Sequence, residues 1–316
     1  MNILVTGGCG YKGTVLAQQL LTDGHDITVL DTQWFGNYLQ DHPNLTVLKQ
    51  DVRNIDAVPL DGVEVVIHLA NIANDPGVEL NPSLSWEVNV LGTQQLADKA
   101  MRKGVKQFLF ASSGSVYGVK DEPQVTEELI LVPISVYNKT KMTAERVLLS
   151  YADQMQVHCI RPATVCGWSP RMRLDVSVNM FTMQALKNAS VTVFGGQQTR
   201  PNIHIQDMVR VYQHFLINSE LPSGCYNAGF ENISILDIAR QVKEQVRADI
   251  MVTESNDPRS YRQNSDKLLA TGFEQHYFVS DAIGEIIEKY NEGELIDSDQ
   301  CYTVKWMKHL NLDSAA

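Results

Sequence analysis

The pair with the clearest chemical potential in this sequence is a tyrosine and a lysine four residues apart, Tyr137 and Lys141. On a helix this spacing places two side chains on one face, so both can act on one ligand. A phenol ordinarily has a pKa of about 10 and is a poor base, but a nearby cation favours the phenolate. The chemistry available to the pair is therefore proton transfer to or from a hydroxyl group. Taken alone the spacing is common by chance, and a surface pair is the alternative interpretation.

Hydroxyl side chains stand upstream of this pair, where the apolar run "FLFA" ends in "SSGSVYG". If the run is a parallel strand, Ser112, Ser113 and Ser115 lie at its carboxyl end, which is where ligands bind in such sheets. The alternative for these serines is a simple turn.

A glycine-rich stretch, "LVTGGCGYKG" (residues 4–13), indicates what the ligand is. Gly8, Gly10 and Gly13 fit the dinucleotide fingerprint G-x-G-x-x-G, in which a strand, a tight turn and a helix N-terminus hold a phosphate. The second strand, "DITVLD", ends at Asp31, 18 positions past Gly13 and near the spacing expected of a carboxylate that binds the adenosine ribose. Because a carboxylate repels a 2′-phosphate, the sequence predicts NAD rather than NADP as the cofactor.

The elements that must position these groups alternate along the first two-thirds of the chain. Short, apolar, β-rich runs are separated by helical patterns over 12–22, 84–103 and 138–154. This alternation predicts an α/β fold, a Rossmann doubly wound parallel sheet with a smaller α/β substrate-binding domain in the C-terminal part. The predicted division is an NAD-binding domain over 1–165 with a returning segment near 201–228, and a substrate-binding domain over 166–200 and 229–316.

Composition narrows the class further. The net charge of −11 argues against a nucleic-acid-binding or anionic-membrane surface, and no apolar run approaches the length of a membrane span. The five cysteines are scattered without metal-ligand spacing, so no metal site is predicted. With no charged leader before the first strand, we expect reduced thiols in a cytoplasmic protein.

Several further motifs occur in an order that is typical of one family. They are "TGGCGYKG", "DVRN" (51–54), "HLANIA" (68–73), "WEVNVLGT" (86–93), "SSGSVYG", "YNKTK", "RPATVCG" and "RPNIHIQDM". On these motifs the chain resembles the extended short-chain dehydrogenase/reductase family, in its nucleotide-sugar epimerase/dehydratase branch, over nearly its whole length. It departs from the family pattern at Asn71, where a second alanine is usual, and at Cys166, where a tyrosine is usual.

The resemblance implies roles for individual residues. Tyr137 would be the base, Lys141 would also hold the nicotinamide ribose, and Ser113 would bond the substrate oxygen, with Ser115 as a second contact to the sugar. It also selects Gly7 rather than Gly8 as the first fingerprint glycine. The residues expected to bind NAD are Gly7, Gly10, Tyr11, Lys12, Gly13, Asp31, Asp51, Val52, Leu69, Ala70 and Lys141.

The same comparison limits the reaction. Family dehydratases carry an Asp-Glu pair just after the catalytic hydroxyl residue, whereas this chain has Gly114 and Ser115 there. The carboxylate that assists decarboxylation and the cysteine that related 3,5-epimerases use are absent there too. The first hypothesis is therefore an NAD-dependent nucleotide-sugar epimerase acting at C4. An NAD(P)H-dependent 4-keto-sugar reductase is the alternative, and a non-catalytic NAD-binding protein is a third hypothesis from another class.

A nucleotide sugar brings a diphosphate to an acidic protein, so specific cations are required. The resemblance points to Arg200 and to either Arg259 or Arg262, with Arg262 favoured, and to Asn179 at the start of an apparent helix. Arg171 and Arg173 could also line the cleft. Helices 84–103 and 138–154 resemble those that form a two-fold interface in the family, so a homodimer is expected.

Overall fold

A computed structural model describes residues 1–254 and 260–312. The strands are β1 Asn2–Thr6, β2 Asp26–Asp31, β3 Leu45–Lys49, β4 Val65–His68, β5 Gln107–Ala111, β6 Gln156–Pro162, β7 Thr164–Cys166, β8 Ser190–Phe194, β9 Thr199–His204, β10 Gly224–Ala228, β11 Glu231–Ser234 and β12 Asp249–Thr253. The α-helices are α1 Tyr11–Thr22, α2 Asp75–Leu80, α3 Pro82–Trp86, α4 Thr93–Arg102, α5 Val136–Leu149, α6 Ser177–Asn188, α7 Ile205–Ile217, α8 Ile235–Gln245, α9 Asp266–Leu269, α10 Val279–Asn291 and α11 Thr303–His309.

Seven strands form one parallel sheet in the order β10-β6-β5-β4-β1-β2-β3. β1 lies near its centre, where Val5 pairs in register with Val29 on one side and with Ile67 on the other. Strand order reverses next to β1, and that reversal opens a crevice at the carboxyl ends of the strands. The predicted Rossmann fold is confirmed.

Both faces of this sheet are covered, which explains why its strands are apolar almost throughout. On one face α1 and α7 pack over a core that includes Leu16, Leu20 and Phe215. On the other, α4 and α5 pack over a core that includes Leu96 and Leu148. The sheet is therefore a rigid platform between two hydrophobic layers.

The segment predicted as one helix over 84–103 is a continuous helical stretch with a change of pitch. α3 runs through a π-helical turn, Glu87–Gly92, directly into α4. The predicted helix 138–154 is α5, which begins earlier because Ser135 caps it and ends at Leu149. The Ser135 hydroxyl accepts a hydrogen bond from the Asn138 backbone N–H at 3.1 Å.

Two small sheets, β11-β9-β7 and β12-β8, are built from strands that follow β6 in sequence, on either side of β10, and pack with α6, α8 and α10. Within the predicted returning segment 201–228, β10 joins the main sheet whereas β9 pairs with β7 and β11. The division into two domains stays a prediction. No helix among the described residues is long and apolar enough to cross a membrane.

Candidate active site

The glycine loop joins β1 to α1 at the crevice. Gly7 has a φ of 73°, and a Cβ there would lie 2.5 Å from the Ala70 backbone nitrogen. A Cβ on Gly13 would lie 2.4 Å from the Gly7 carbonyl oxygen, because α1 approaches the loop closely. No side chain caps α1 at Gly10, so its first-turn N–H groups and dipole face the crevice. The local backbone therefore fits an anionic ligand such as a pyrophosphate.

Asp31 stands at the end of β2, beside this loop. Its carboxylate accepts hydrogen bonds from the backbone N–H groups of Cys9 (3.0 Å) and Gln33 (2.7 Å). Burial raises the pKa of Asp31, and these two hydrogen bonds and the charge of Arg171 act in the opposite direction. The carboxylate is thus fixed at the crevice, where the sequence predicts contact with the adenosine ribose.

Tyr137 and Lys141 lie on one face of α5, and Ser113 follows β5. Lys141 is 1% exposed, and its ammonium donates a hydrogen bond to the Ala111 carbonyl at 2.6 Å. The hydroxyl oxygens of Ser113 and Ser115 are 2.8 Å apart. Burial raises the pKa of Tyr137 to about 12, while a hydrogen bond with Ser113 acts in the opposite direction. Burial therefore favours the neutral phenol.

All these groups open on one cavity of about 990 Å³. It lies at the upper end of the range for ligand pockets, large enough for more than a single drug-sized molecule. The residues predicted at the site that line it are Gly7, Gly10, Tyr11, Lys12, Gly13, Asp31, Asp51, Val52, Leu69, Ala70, Ser113, Ser115, Tyr137, Lys141 and Arg200. Of these, Asp51 already forms an ion pair with Arg53 at 2.9 Å.

Two predicted substrate contacts lie elsewhere. Asn179 is fully buried, and its amide accepts from the Gly167 N–H and donates to the Tyr11 hydroxyl and the Arg173 carbonyl. Arg262 is exposed and does not line the cavity. Its neighbour Tyr261 does line the cavity. Arg259 lies outside the described residues.

Cations gather in the cavity. Lys12, Arg171 and Arg173 all line it. Burial and the charge of Arg173 lower the pKa of Lys12 to about 8. Burial, together with the charge of Lys12, lowers the pKa of Lys141 well below its ordinary value. Like charges gathered in this way fit a phosphate-bearing ligand that would compensate them.

Sequence reasoning missed a carboxylate in the same cavity. Asp75, at the start of α2, lines it and raises the pKa of Tyr137 by its charge. Its carboxylate accepts a hydrogen bond from the hydroxyl of Ser135, the residue that caps the helix carrying the tyrosine. No spacing in the sequence links residue 75 to residue 137, since the loop after β4 brings them together.

A buried ionic network behind Lys141 was also missed. Glu145 and Arg161 form a two-pronged ion pair with both bonds at 2.8 Å and almost no exposure. The Ser112 hydroxyl donates to Glu145, and Arg161 donates to the Tyr117 hydroxyl. The available signal was that Glu145 follows Lys141 by four residues, one helical turn. The network ties α5 to the ends of β5 and β6.

The fold and this cavity place the chain among the short-chain dehydrogenase/reductase enzymes. The sequence profile of the NAD dependent epimerase/dehydratase family matches residues 3–229, and the chain belongs to that family. NAD is accordingly its cofactor.

The relatives of the chain are named for more than one reaction. UDP-glucuronic acid decarboxylase 1 of Xenopus tropicalis is 31% identical over 259 residues, 78% of this chain and 60% of that protein's length. The uncharacterised UDP-glucose epimerase YtcB of Bacillus subtilis is 30% identical over 264 residues, 77% of this chain and 82% of YtcB. Because the match spans under two-thirds of the Xenopus enzyme, that enzyme's whole activity does not carry over directly.

Solved structures agree on the fold. MoeE5 in complex with UDP-glucuronic acid and NAD has a TM-score of 0.81 and 25% identity, covering 93% of this chain and all of MoeE5. The UDP-glucose 4-epimerase of Thermus thermophilus, in complex with NAD, has a TM-score of 0.81 at 24% identity, covering 92% of this chain and 99% of that enzyme.

Proposed function

We propose that this enzyme is an NAD-dependent nucleotide-sugar epimerase that inverts C4. The observation that carries the proposal is the convergence of Ser113, Tyr137 and Lys141 on one cavity with the glycine loop. The positions where family dehydratases carry their acidic pair are Gly114 and Ser115. This set can move a proton and position a hydride at one carbon.

Each residue has a defined task in this scheme. Tyr137 takes the proton from the C4 hydroxyl, and Ser113 donates a hydrogen bond to the same oxygen. Lys141 supplies a positive charge that favours the phenolate and, when NAD is bound, holds the nicotinamide ribose. NAD supplies the hydride acceptor. The 4-keto sugar then turns over in the cavity, so that the hydride held by the cofactor returns to the opposite face of C4 while Tyr137 gives its proton back to the C4 oxygen.

The substrate is a nucleotide-diphosphate sugar. Structural relatives have been solved with UDP-glucose and UDP-glucuronic acid. In this chain Arg200 lines the cavity, and Arg173, paired with Asp175 at 2.8 Å, lines it too. Guanidinium groups suit a diphosphate because they bind phosphate oxygens in two-pronged fashion.

The decisive experiment follows the C4 hydrogen. Purified enzyme is given UDP-hexoses and UDP-hexuronic acids deuterated at C4, in ordinary and in heavy water, and the products are analysed by NMR. An epimerase keeps the deuterium at C4 and takes up no label from heavy water.

Other outcomes identify other enzymes. Stoichiometric consumption of NADH or NADPH with a 4-keto sugar would make the protein a reductase. Deuterium from heavy water at C5, or release of CO₂ from a uronic acid, would show a second acid or base. Asp75 is the carboxylate placed to act in that case, since it lines the cavity near Tyr137.

A further inference from the structure

A segment late in the chain also lines the cavity, in addition to the glycine loop and helix α5. The segment comprises residues 299–309, with a 3₁₀ turn at Asp299–Cys301 followed by α11. We call it the strap. Tyr302, Thr303, Val304, Lys305, Met307 and Lys308 line the cavity together with Asp31, Thr32, Trp34 and Phe35. The strap therefore lies over the end of β2, the side on which a dinucleotide places its adenosine.

The strap is anchored to two parts of the molecule. On the β2 side, the Trp306 indole N–H donates to the Trp34 carbonyl at 2.6 Å, and the Tyr38 hydroxyl donates to Gln300 at 2.9 Å. Met307 is 2% exposed and packs in the hydrophobic core beside α2.

On the opposite side of the cavity, the strap binds the segment before α6. The Leu174 N–H donates to the Cys301 carbonyl, and the Thr303 N–H donates to the Asp175 carboxylate, both at 2.9 Å. The strap thus bridges the cavity, and a ligand beneath it cannot leave past β2 unless these contacts break.

Arg171 indicates that a ligand belongs under the strap. This guanidinium lines the cavity at 5% exposure and stacks 4.0 Å above the Phe35 ring. Its one recorded hydrogen bond is a long one, 3.3 Å, to the adjacent Met172 carbonyl, and its Nε has no partner among residues 1–254 and 260–312. A buried, under-bonded cation beside an aromatic ring and the Asp31 carboxylate fits the ribose, adenine and phosphate of an adenosine diphosphate moiety.

We infer that the strap and Arg171 clasp the adenosine half of NAD, so that the cofactor stays bound through many turnovers. This inference rests on the proposed function, because an epimerase must return the same hydride and therefore needs a cofactor that does not leave. It adds to that function a means of retention, located in residues 299–309.

The test measures NAD rather than turnover. Wild-type protein is passed through gel filtration and then denatured, and released NAD is counted by chromatography. The dissociation rate is measured by exchanging bound NAD for radiolabelled NAD. We expect about one NAD per chain in the wild type. Trp306→Ala loses the bond to Trp34 and should release NAD at least tenfold faster. Deletion of residues 299–316 should leave no NAD after filtration.

Phe194→Ala is the control, since Phe194 is an exposed aromatic residue at the end of β8 that does not line the cavity. It should exchange NAD at the wild-type rate. Arg171→Met distinguishes an arginine that binds the ligand from one that only stabilises the fold, because thermal stability and NAD release are measured separately. Removing a buried under-bonded charge should leave the unliganded protein at least as heat-stable as wild type, yet speed NAD release.

The inference is overturned if Trp306→Ala exchanges NAD within twofold of the wild-type rate, or if the wild type carries no NAD after filtration. If the deletion variant does not fold, the NAD exchange rate of Trp306→Ala alone decides whether the inference holds. The deuterium experiment keeps the two proposals separate. If the strap has no effect on NAD release, the deuterium label still stays at C4. If the reaction is assigned wrongly, the fate of the label changes but the strap variants still release NAD faster.

Discussion

At the scale of single residues, catalysis depends on the protonation state of Tyr137. Burial raises the pKa of Tyr137 to about 12, and a base must be deprotonated to act. The charge of Arg173 lowers this pKa, and the charge of Asp75 raises it. The balance among these groups decides the pH at which the tyrosine works.

Replacing Tyr137 by phenylalanine keeps the ring and removes the ionisable oxygen. Turnover should fall by about 10²–10⁴-fold, the usual contribution of a general base, while NAD content stays at the wild-type level. Steady-state rates and chromatography of released NAD check both points. Tyr261→Phe, at the other tyrosine that borders the catalytic end of the cavity, should keep most of the activity. Near-normal turnover in Tyr137→Phe would mean that another residue is the base.

Neutralising Asp75 tests the charge balance. Its carboxylate raises the pKa of Tyr137, so Asp75→Asn lowers that pKa and makes phenolate available at lower pH. The rising limb of kcat against pH should move down by about one unit. Glu79→Gln, an exposed position on the same helix, should leave the limb in place. An upward shift in Asp75→Asn would contradict this account.

At the scale of elements, α5 is held from behind as well as by its contact with the sheet. The Glu145–Arg161 ion pair joins it to β6, and Ser112 extends the connection to the end of β5. The two catalytic residues of this helix and Ser113 after β5 therefore sit on parts that cannot shift independently.

Removing one partner of that pair should be costly. Glu145→Gln leaves the Arg161 charge buried at 4% exposure without its counter-ion, and should lower the free energy of unfolding by about 3–5 kcal/mol. Urea denaturation followed by circular dichroism measures the change. Asp98→Asn breaks an exposed pair with Arg102 and should cost less than about 1 kcal/mol. Equal losses of unfolding free energy in the two variants would mean that the buried ion pair contributes no more to stability than the exposed one.

A residue's place in the cavity can be predicted from the sequence where its cause is local. The glycines of the first loop, the acidic end of β2 and the Tyr137–Lys141 spacing each encode their own geometry within a few residues. The strap and Asp75 were not assigned their places, because these depend on how distant loops return to the crevice. Arg262 shows the same limit, since its neighbour Tyr261 lines the cavity instead.

At the scale of the whole molecule, one helical face remains uncovered. Leu91 is 57% exposed and Trp86 is 37% exposed on the helical stretch from α3 to α4, whereas Leu96 and Leu148 point into the core. These two exposed apolar side chains lie on a helical stretch that resembles one of those that form a two-fold interface in the family. We predict a homodimer formed by this stretch and α5 about a two-fold axis.

Leu91→Glu should convert the dimer to a monomer, because a carboxylate would be buried twice in a two-fold interface. Light scattering after gel filtration at micromolar concentration gives the mass. Ile217→Glu, at a position 79% exposed on the opposite face of the sheet, should remain dimeric. A monomeric wild type under these conditions would refute the predicted interface.

The strand order of the main sheet has a consequence for biosynthesis. The first six strands are complete when Pro162 has been made, but the strand that covers β6 arrives only with Gly224–Ala228. At about 5–20 residues per second, a ribosome needs several seconds to make the intervening 163–223. During that time β6 is an unpaired, apolar edge, the kind of surface to which chaperones bind and at which nascent chains aggregate. Slow translation before residue 224 should therefore lower the yield of native enzyme more than slow translation after residue 228.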